Sequence, residues 1–364
     1  MNAGSGPPAG TASPLVVVRA TAAELPGAGL RVAGLSTLER ATRQLRRQGK
    51  RVIIAHDRAV PLPRPRYLPA ETEVVEVADV AGAGALAQAR GAADELPANQ
   101  VRVHTRDATG TLVVSDEPSR RRAEDAIFGE LLRGDLGLVA RHLNKPVSFR
   151  VTRYIFCKLP ITPNQVTLLA AAVALIGAGF IACGGYVNFV IGFFLAHVQS
   201  ILDGCDGELA RVRFQQTDIG EWLDTIVDDG LNLTLAVATG IGVSRSTGNT
   251  LYLALGLGAA ALFFTYNVIA YRELVRQGEG GEVLKIKWWF TKGVDLKALF
   301  AEGATKKKSP LQAVMALGRR DFFILVWLVL AAIGLPQLIL TYVFVIGLCN
   351  AVVAVIQLFA RPQA

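Results

Sequence analysis

Asp203, Asp206, Asp224 and Asp228 fall in two pairs, three and four residues apart, within the stretch DGCDGELARVRFQQTDIGEWLDTIVD. On helices those spacings put the members of each pair on one face. Two such faces brought together would concentrate four carboxylates, which repel unless a counter-charge joins them. Hard oxygen ligands favour magnesium, manganese or calcium over zinc, and no histidine or cysteine set competes for the role. Divalent-cation binding by the four aspartates is therefore the expected chemistry, and His197 reads as a packed polar residue. Between the aspartates, Gly204, Gly207 and Gly220 permit close backbone approach, Ala210 keeps a helical face low, and Arg211 offers a planar fork suited to phosphate. Small residues, one guanidinium and a cation cluster together describe a diphosphate cradle.

The elements that must position these residues are membrane spans. The 44 residues from Leu159 to Leu202 contain no Asp, Glu, Lys or Arg. The whole chain is 51% hydrophobic and only 19% charged, and the apolar excess lies after about residue 140. That division predicts a soluble domain joined to a membrane domain. The net charge of +8 is accounted for by loops beside anionic lipid, so nucleic acid is not an expected partner. The four cysteines form no CxxC pair and suggest neither a disulfide framework nor a zinc site.

Spans of roughly 17 to 25 residues suffice to cross the hydrocarbon. They are expected at 166–183 and 186–202, divided by Gly184-Gly185, then at 219–243 and 250–271. Two more are expected within 322–360, divided near Gly334-Leu335-Pro336. Eleven Lys or Arg between Arg272 and Arg320, and a basic cluster before the first span, place those connections and both termini in the cytoplasm. The aspartates face the same side. The opening MNAGSGPPAGTASP has neither the basic nor the apolar region of a secretory signal, consistent with that orientation. Residues 141–158 mix base with Val147, Val151, Ile155 and Phe156 at helical spacing, as a helix lying along the membrane surface would. Trp288, Trp289 and Phe290 beside Lys285, Lys287 and Lys292 read as an interfacial anchor, and Lys306-Lys307-Lys308 as a solvated or lipid-facing run.

In the front half, LVVV at 15–18, VIIA at 52–55, VVEV at 74–77 and VRV at 101–103 read as short buried strands. Ser36 and Glu39 form a capping box opening a helix to about Gln48. Strands alternating with helices predict an α/β layered domain. The expected fold is thus multi-domain: a flexible lead-in over 1–14, a cytoplasmic α/β domain over 15–135, an interfacial helix over 140–160, and an all-α six-span transmembrane helical bundle over 161–364.

The aspartate stretch resembles the signature of the CDP-alcohol phosphotransferases, DxxDGxxAR followed by GxxxDxxxD. Asp203, Asp206, Gly207, Ala210, Arg211, Gly220, Asp224 and Asp228 supply all eight positions. The resemblance covers about residues 140 to 360, including the entry Thr162-Pro163-Asn164 into the first span. It implies transfer of a substituted phosphate from a CDP-alcohol donor, such as CDP-diacylglycerol or CDP-inositol, to an alcohol or phosphorylated-polyol acceptor, with release of CMP. It further implies two magnesium or manganese ions on Asp203, Asp206 and Asp224, with Asp228 completing the site as general base. Gly207, Ala210, Arg211 and Thr217 would line the CDP group with Asn164 and Thr167. Arg272, Arg319 and Arg320, at the cytoplasmic ends of later spans, could receive an acceptor phosphate or serve as positive-inside anchors. A homodimer in membrane lipid, in a bacterial cytoplasmic membrane, is the matching assembly.

The segment LSTLERATRQLRRQG resembles the helix that follows the nucleotide loop of sugar-phosphate nucleotidyltransferases. The preceding RATAAELPGAGLRVAGL lacks that family's glycine-rich loop with arginine, which implies a degenerate front domain. The order of domains is similar to fused enzymes in which a cytidylyltransferase makes CDP-inositol for a membrane domain. Two other classes remain open at this point. Intramembrane prenyltransferases also hold magnesium and diphosphate on aspartate pairs, but lack the GxxAR element. A non-catalytic metal-binding membrane protein would leave the glycines and Arg211 without a role.

Overall fold

A computed structural model describes residues 15–20, 31–33, 35–57, 72–77, 80–90, 92, 94–98, 100–104, 109–131, 139–281, 283–286, 288–289 and 320–360. The described chain forms two compact units. The first takes its residues from 1–133, 153–160 and 209–215, and the second from 134–152, 161–208 and 216–364.

The first unit is built on a parallel sheet. Strands β1 (Leu15–Ala20), β4 (Arg51–Asp57), β5 (Glu73–Val77) and β6 (Asp94–Pro97) lie in the order β5-β4-β1-β6. Side chains alternate across a strand, so a sheet with apolar residues at every position must be covered on both faces. Val16, Val18 and Ala20 of β1, with Val52 and Ile54 of β4, pack on Leu38 and Leu45 of helix α1 (Thr37–Arg47). Val17, Ile53 and Ala55 point the other way, onto Ala83 and Ala87 of α2 (Val80–Ala89). The expected capping box opens α1: Ser36 Oγ accepts from the Glu39 amide, and Glu39 accepts from the Ser36 amide at 2.8 Å. A short hairpin, β2 (Arg31–Val32) with β3 (Leu35–Ser36), precedes α1, and a ribbon, β7 (Gln100–His104) with β8 (Thr109–Val113), leads to α3 (Glu117–Leu131).

Two short membrane-domain segments group with this unit. Fully buried Arg213 donates through Nη2 to the carbonyls of Phe156, Cys157 and Leu159 at 2.9, 3.2 and 2.9 Å. Arg40 donates to the Val32 and Val212 carbonyls, and Arg43 to that of Arg213. Burial lowers the Arg40 guanidinium from 12.5 to about 10, so it stays charged at neutral pH.

The second unit is helical. The surface segment is a short helix, α4 (Lys145–Val151), flanked by wider π-type turns at Ala140–Asn144 and Thr152–Phe156. Its polar residues Asn144, Ser148 and Thr152 are buried at a spacing of four, while Leu143, Val147, Tyr154 and Ile155 are exposed. That inverted burial suits a helix whose apolar side meets lipid.

Helix α5 (Pro163–Cys183) starts where Thr162 and Gln165 form a capping box with Pro163 at the first position. At 1.5 Å per residue its 21 residues reach about 30 Å, the thickness of the hydrocarbon. Gly184 and Gly185, at φ +74° and +85°, turn the chain into α6 (Tyr186–Val212). Helices α7 (Asp218–Thr247), α8 (Leu251–Gln277) and α10 (Pro336–Phe359) complete a set of five that are long and apolar enough to span a membrane among the described residues. Six spans were expected. The remaining one corresponds to α9 (Arg320–Ala332), whose 13 described helical residues rise only about 20 Å. Gly334, at φ +80°, and Pro336 break it from α10 as expected.

The bundle core gathers Ile181, Phe193, Leu235, Ile324, Trp327 and Ile339, with Trp327 edge-on to Phe193 and Tyr342. Helix α7 approaches α8 where Gly240 faces Gly256: a Cβ on either would fall within 3 Å of the other's backbone. Of the expected interfacial anchor, Trp288 is buried against Tyr266 and Trp289 is exposed. Phe290, Lys287, Lys292 and Lys306–Lys308 lie outside the described residues.

Candidate active site

Helix α6 carries Asp203 and Asp206, and the first turns of α7 carry Asp224 and Asp228. Each of Asp203, Asp206 and Asp224 offers a carboxylate oxygen within 4.8 Å of the other two. Asp224 Oδ1 is buried and has no hydrogen-bond partner among the described residues. Three converging carboxylates with such an oxygen fit a hard divalent cation, which would supply positive charge there.

Asp228, one turn after Asp224, pairs with Arg320, the first residue of α9. The same guanidinium lies 3.6 Å from Asp203 Oδ1 and donates to Gln199 Oε1 at 3.0 Å. The Gln199 amide nitrogen sits 3.5 Å from both Asp203 Oδ1 and Asp228 Oδ1. Gln199 and Arg320 thus knit the two aspartate pairs across three helices. Gln199 escaped the sequence reading, although an uncharged polar residue one turn before Asp203 on a span is the signal that could have found it.

Asp206 is buried and accepts a hydrogen bond from Thr167 on α5. At the start of α7, Thr217 caps the helix by accepting from the Gly220 amide at 3.0 Å. A Cβ at Gly220 would lie 3.1 Å from Thr217 Oγ1 and 3.2 Å from Asn164 Oδ1, so glycine lets these two helix starts meet. At Gly207 a Cβ would meet nothing within 4 Å, leaving open space beside the Asp206 backbone. The structure therefore brings Asn164, Thr167 and Thr217 to the aspartate-bearing ends. Ala210 and exposed Arg211 lie on the last turn of α6, within the segment that groups with the first unit. Arg272 is exposed near the end of α8, and Arg319 lies outside the described residues.

Neighbouring acids have separate partners. Tyr271 donates to Asp229 Oδ2 at 2.6 Å and stands edge-on to Trp222. Fully buried Glu208 receives Lys145 Nζ at 2.8 Å, Ser148 Oγ at 2.5 Å and Thr152 Oγ1 at 2.7 Å. The chain after α8 crosses the first turns of α7, where Lys285 pairs with Glu221 at 3.1 Å and Thr225 donates to the Gly281 carbonyl at 2.8 Å.

The sequence also resembles known proteins over this region. The sequence pattern of the CDP-alcohol phosphatidyltransferase family matches residues 160–356, more than half of the chain. The chain is similar to the "Bifunctional IPC transferase and DIPP synthase" of Rubrobacter xylanophilus, 37% identical over 150 residues, which are 40% of this chain and 32% of the relative. It is also similar to the protein of the same name from Archaeoglobus fulgidus, 35% identical over 109 residues, 30% of this chain and 21% of that one. "Inner membrane protein YnjF" of Escherichia coli is 35% identical over 94 residues, 25% of this chain and 43% of that protein. The chain thus spans about a third or less of the length of the bifunctional relatives, and under half of the shorter one. With the family pattern lying over the candidate spans and the carboxylate cluster, the chain belongs to the CDP-alcohol phosphatidyltransferase family.

Proposed function

We propose that the reaction takes the substituted phosphate of CDP-diacylglycerol or of a CDP-polyol such as CDP-inositol, transfers it to the hydroxyl of an alcohol or phosphorylated polyol, and releases CMP. The observation that carries the site assignment is the convergence of Asp203, Asp206 and Asp224, with Asp228 joined to Asp203 through Arg320 and Gln199.

Asp203, Asp206 and Asp224 would hold two magnesium or manganese ions, with Asp228 completing the metal site. Bound there, the ions would polarise the diphosphate and neutralise charge on the departing CMP. Thr167 orients Asp206 through its hydroxyl, Thr217 and Asn164 meet at Gly220, and CDP would lie against these helix starts and the open space at Gly207. Ala210 and Arg211 belong to the same proposed CDP surface. Asp228 takes the proton of the acceptor hydroxyl as its oxygen bonds to phosphorus and the bond from phosphorus to the CMP oxygen breaks. Its pairing with Arg320 orients the carboxylate, and an acceptor phosphate would compete for that guanidinium. Arg272 and Arg319 are secondary candidates for the same task.

The proposed setting is a homodimer in a bacterial cytoplasmic membrane, with both termini, the front domain over 15–135 and the aspartates on the cytoplasmic side. The front domain, degenerate in its nucleotide loop, is assigned no catalysis. Lipid surrounds the spans over 161–364, and the 140–160 segment lies at its surface. The deciding experiment is CMP release by purified protein with magnesium or manganese. CDP-diacylglycerol and CDP-inositol are each offered inositol, inositol phosphate, glycerol phosphate and serine. Metal-dependent release with one pair, absent in Asp228→Asn, identifies donor and acceptor together; no release from either donor in the presence of demonstrable CDP binding overturns both proposed donor classes.

A further inference from the structure

The first unit contains a cavity of about 740 Å³, between α3, the start of β2 and the segment that leads into the first span. Its volume is that of a small-molecule site. Arg31, Arg120, Arg121, Arg153 and Lys158 line it, against the two carboxylates of Glu117 and Glu124, so its wall carries three more positive than negative charges.

The charges are not uniformly spent. Arg120 is locked between Glu117, at 2.7 Å, and Glu124. Arg153 pairs with Glu124 at 3.2 Å and Asp125 at 2.6 Å. Both carboxylates are thereby neutralised within the wall, and their guanidiniums are fixed in place. Arg31 and Lys158 have no carboxylate partner among the described residues; Lys158 Nζ lies only over the Tyr154 ring, 5.8 Å from its centre. Two uncommitted cations facing a roomy, rigid, net-positive cavity are an anion site waiting for a partner.

Lys158 lies five residues before Pro163 in the sequence. Tyr154, Ile155 and Leu159, near it in the sequence, are exposed apolar or aromatic residues of the kind that favours lipid contact. We propose that this cavity binds a phosphate-bearing anion through Arg31 and Lys158, separately from the aspartate site. The phosphate can come from a lipid headgroup or from a soluble phosphate, and the chemistry of recognition is the same.

The test uses the full chain in detergent with a chelator present, so that the carboxylate cluster takes no metal-bound phosphate. Calorimetric titration is run with two probes, inorganic phosphate and dihexanoyl phosphatidate, on wild type and on the double variant Arg31→Ser, Lys158→Ser. Both positions are exposed, and an unchanged unfolding midpoint shows that the fold is kept. The expected result is saturable binding to wild type, weakened about tenfold or more in the double variant and recovered in Arg31→Lys, Lys158→Arg. Binding of phosphatidate alone assigns the site to a lipid headgroup, and binding of inorganic phosphate assigns it to the phosphate group itself. Absence of binding by both probes, or equal affinity in wild type and double variant, overturns the proposal.

Discussion

Lys145 Nζ lies 2.8 Å from Glu208 Oε1, although 63 residues separate them. Glu208 is fully buried two residues after Asp206, and the Ser148 and Thr152 hydroxyls complete its shell. The surface segment thereby grips α6 beside the carboxylate cluster, through a charge that has no exposed alternative.

Removing Glu208 should therefore cost more than a surface ion pair. Glu208→Ala strands the Lys145 ammonium, and a loss of about 3 kcal/mol is expected. The unfolding midpoint in detergent checks it; Glu208→Gln, which still accepts from Ser148 and Thr152, should lose less. Equal midpoints for wild type and Glu208→Ala would remove the positioning role.

Asp203→Asn and Asp224→Asn should each weaken divalent-cation binding together with CDP binding, since the three carboxylates share one space within 4.8 Å. A magnesium titration of CDP affinity reads both at once. Unchanged cation dependence in either variant would break the cluster assignment.

Asp228→Asn should retain metal-dependent CDP binding while turnover falls by about 10² to 10⁴, the range for loss of a general base. Because Arg320 holds Asp228, Arg320→Lys should lower turnover less than Asp228→Asn does. Turnover equal to wild type in Asp228→Asn would sink the base assignment.

Gly220→Val tests the meeting of the helix starts. Even a Cβ there lies 3.1 Å from Thr217 and 3.2 Å from Asn164, and the branched side chain must push them aside. CDP affinity should fall with little change in the unfolding midpoint, as the site lies at helix ends. Intact CDP affinity would mean that Asn164 and Thr217 do not border the nucleotide.

In the front domain, hydrogen bonds from Arg120 and Arg121 hold the Glu117 carboxyl near 2, below its ordinary 4.5. A depressed folded value makes the stabilisation complete above about 4.5 and removes it as pH falls toward 2. Amide exchange at the start of α3 should accelerate over that window in wild type and be flat in Glu117→Gln. The same slope in both would assign the pH dependence elsewhere.

The sequence by itself determined what local chemistry and periodicity can encode. The spacing of Asp203, Asp206, Asp224 and Asp228 announced paired carboxylates, uncharged runs marked helices of spanning length, and Gly184-Gly185 and Gly334 to Pro336 marked their breaks. Strands β1, β4 and β5 and the Ser36–Glu39 box were equally legible, because alternation and capping act over a few residues. Strands β2, β3, β6 and β8 were not, being short or lacking an apolar run. Only the tertiary structure decided that Asp203, Asp206 and Asp224 converge and that Arg320 meets both Asp228 and Asp203. It alone decided that Gln199 links them, and that Glu208 is buried under Lys145. Those choices join residues 29 to 121 positions apart, and they depend on how helix faces pack rather than on any repeat a single segment carries.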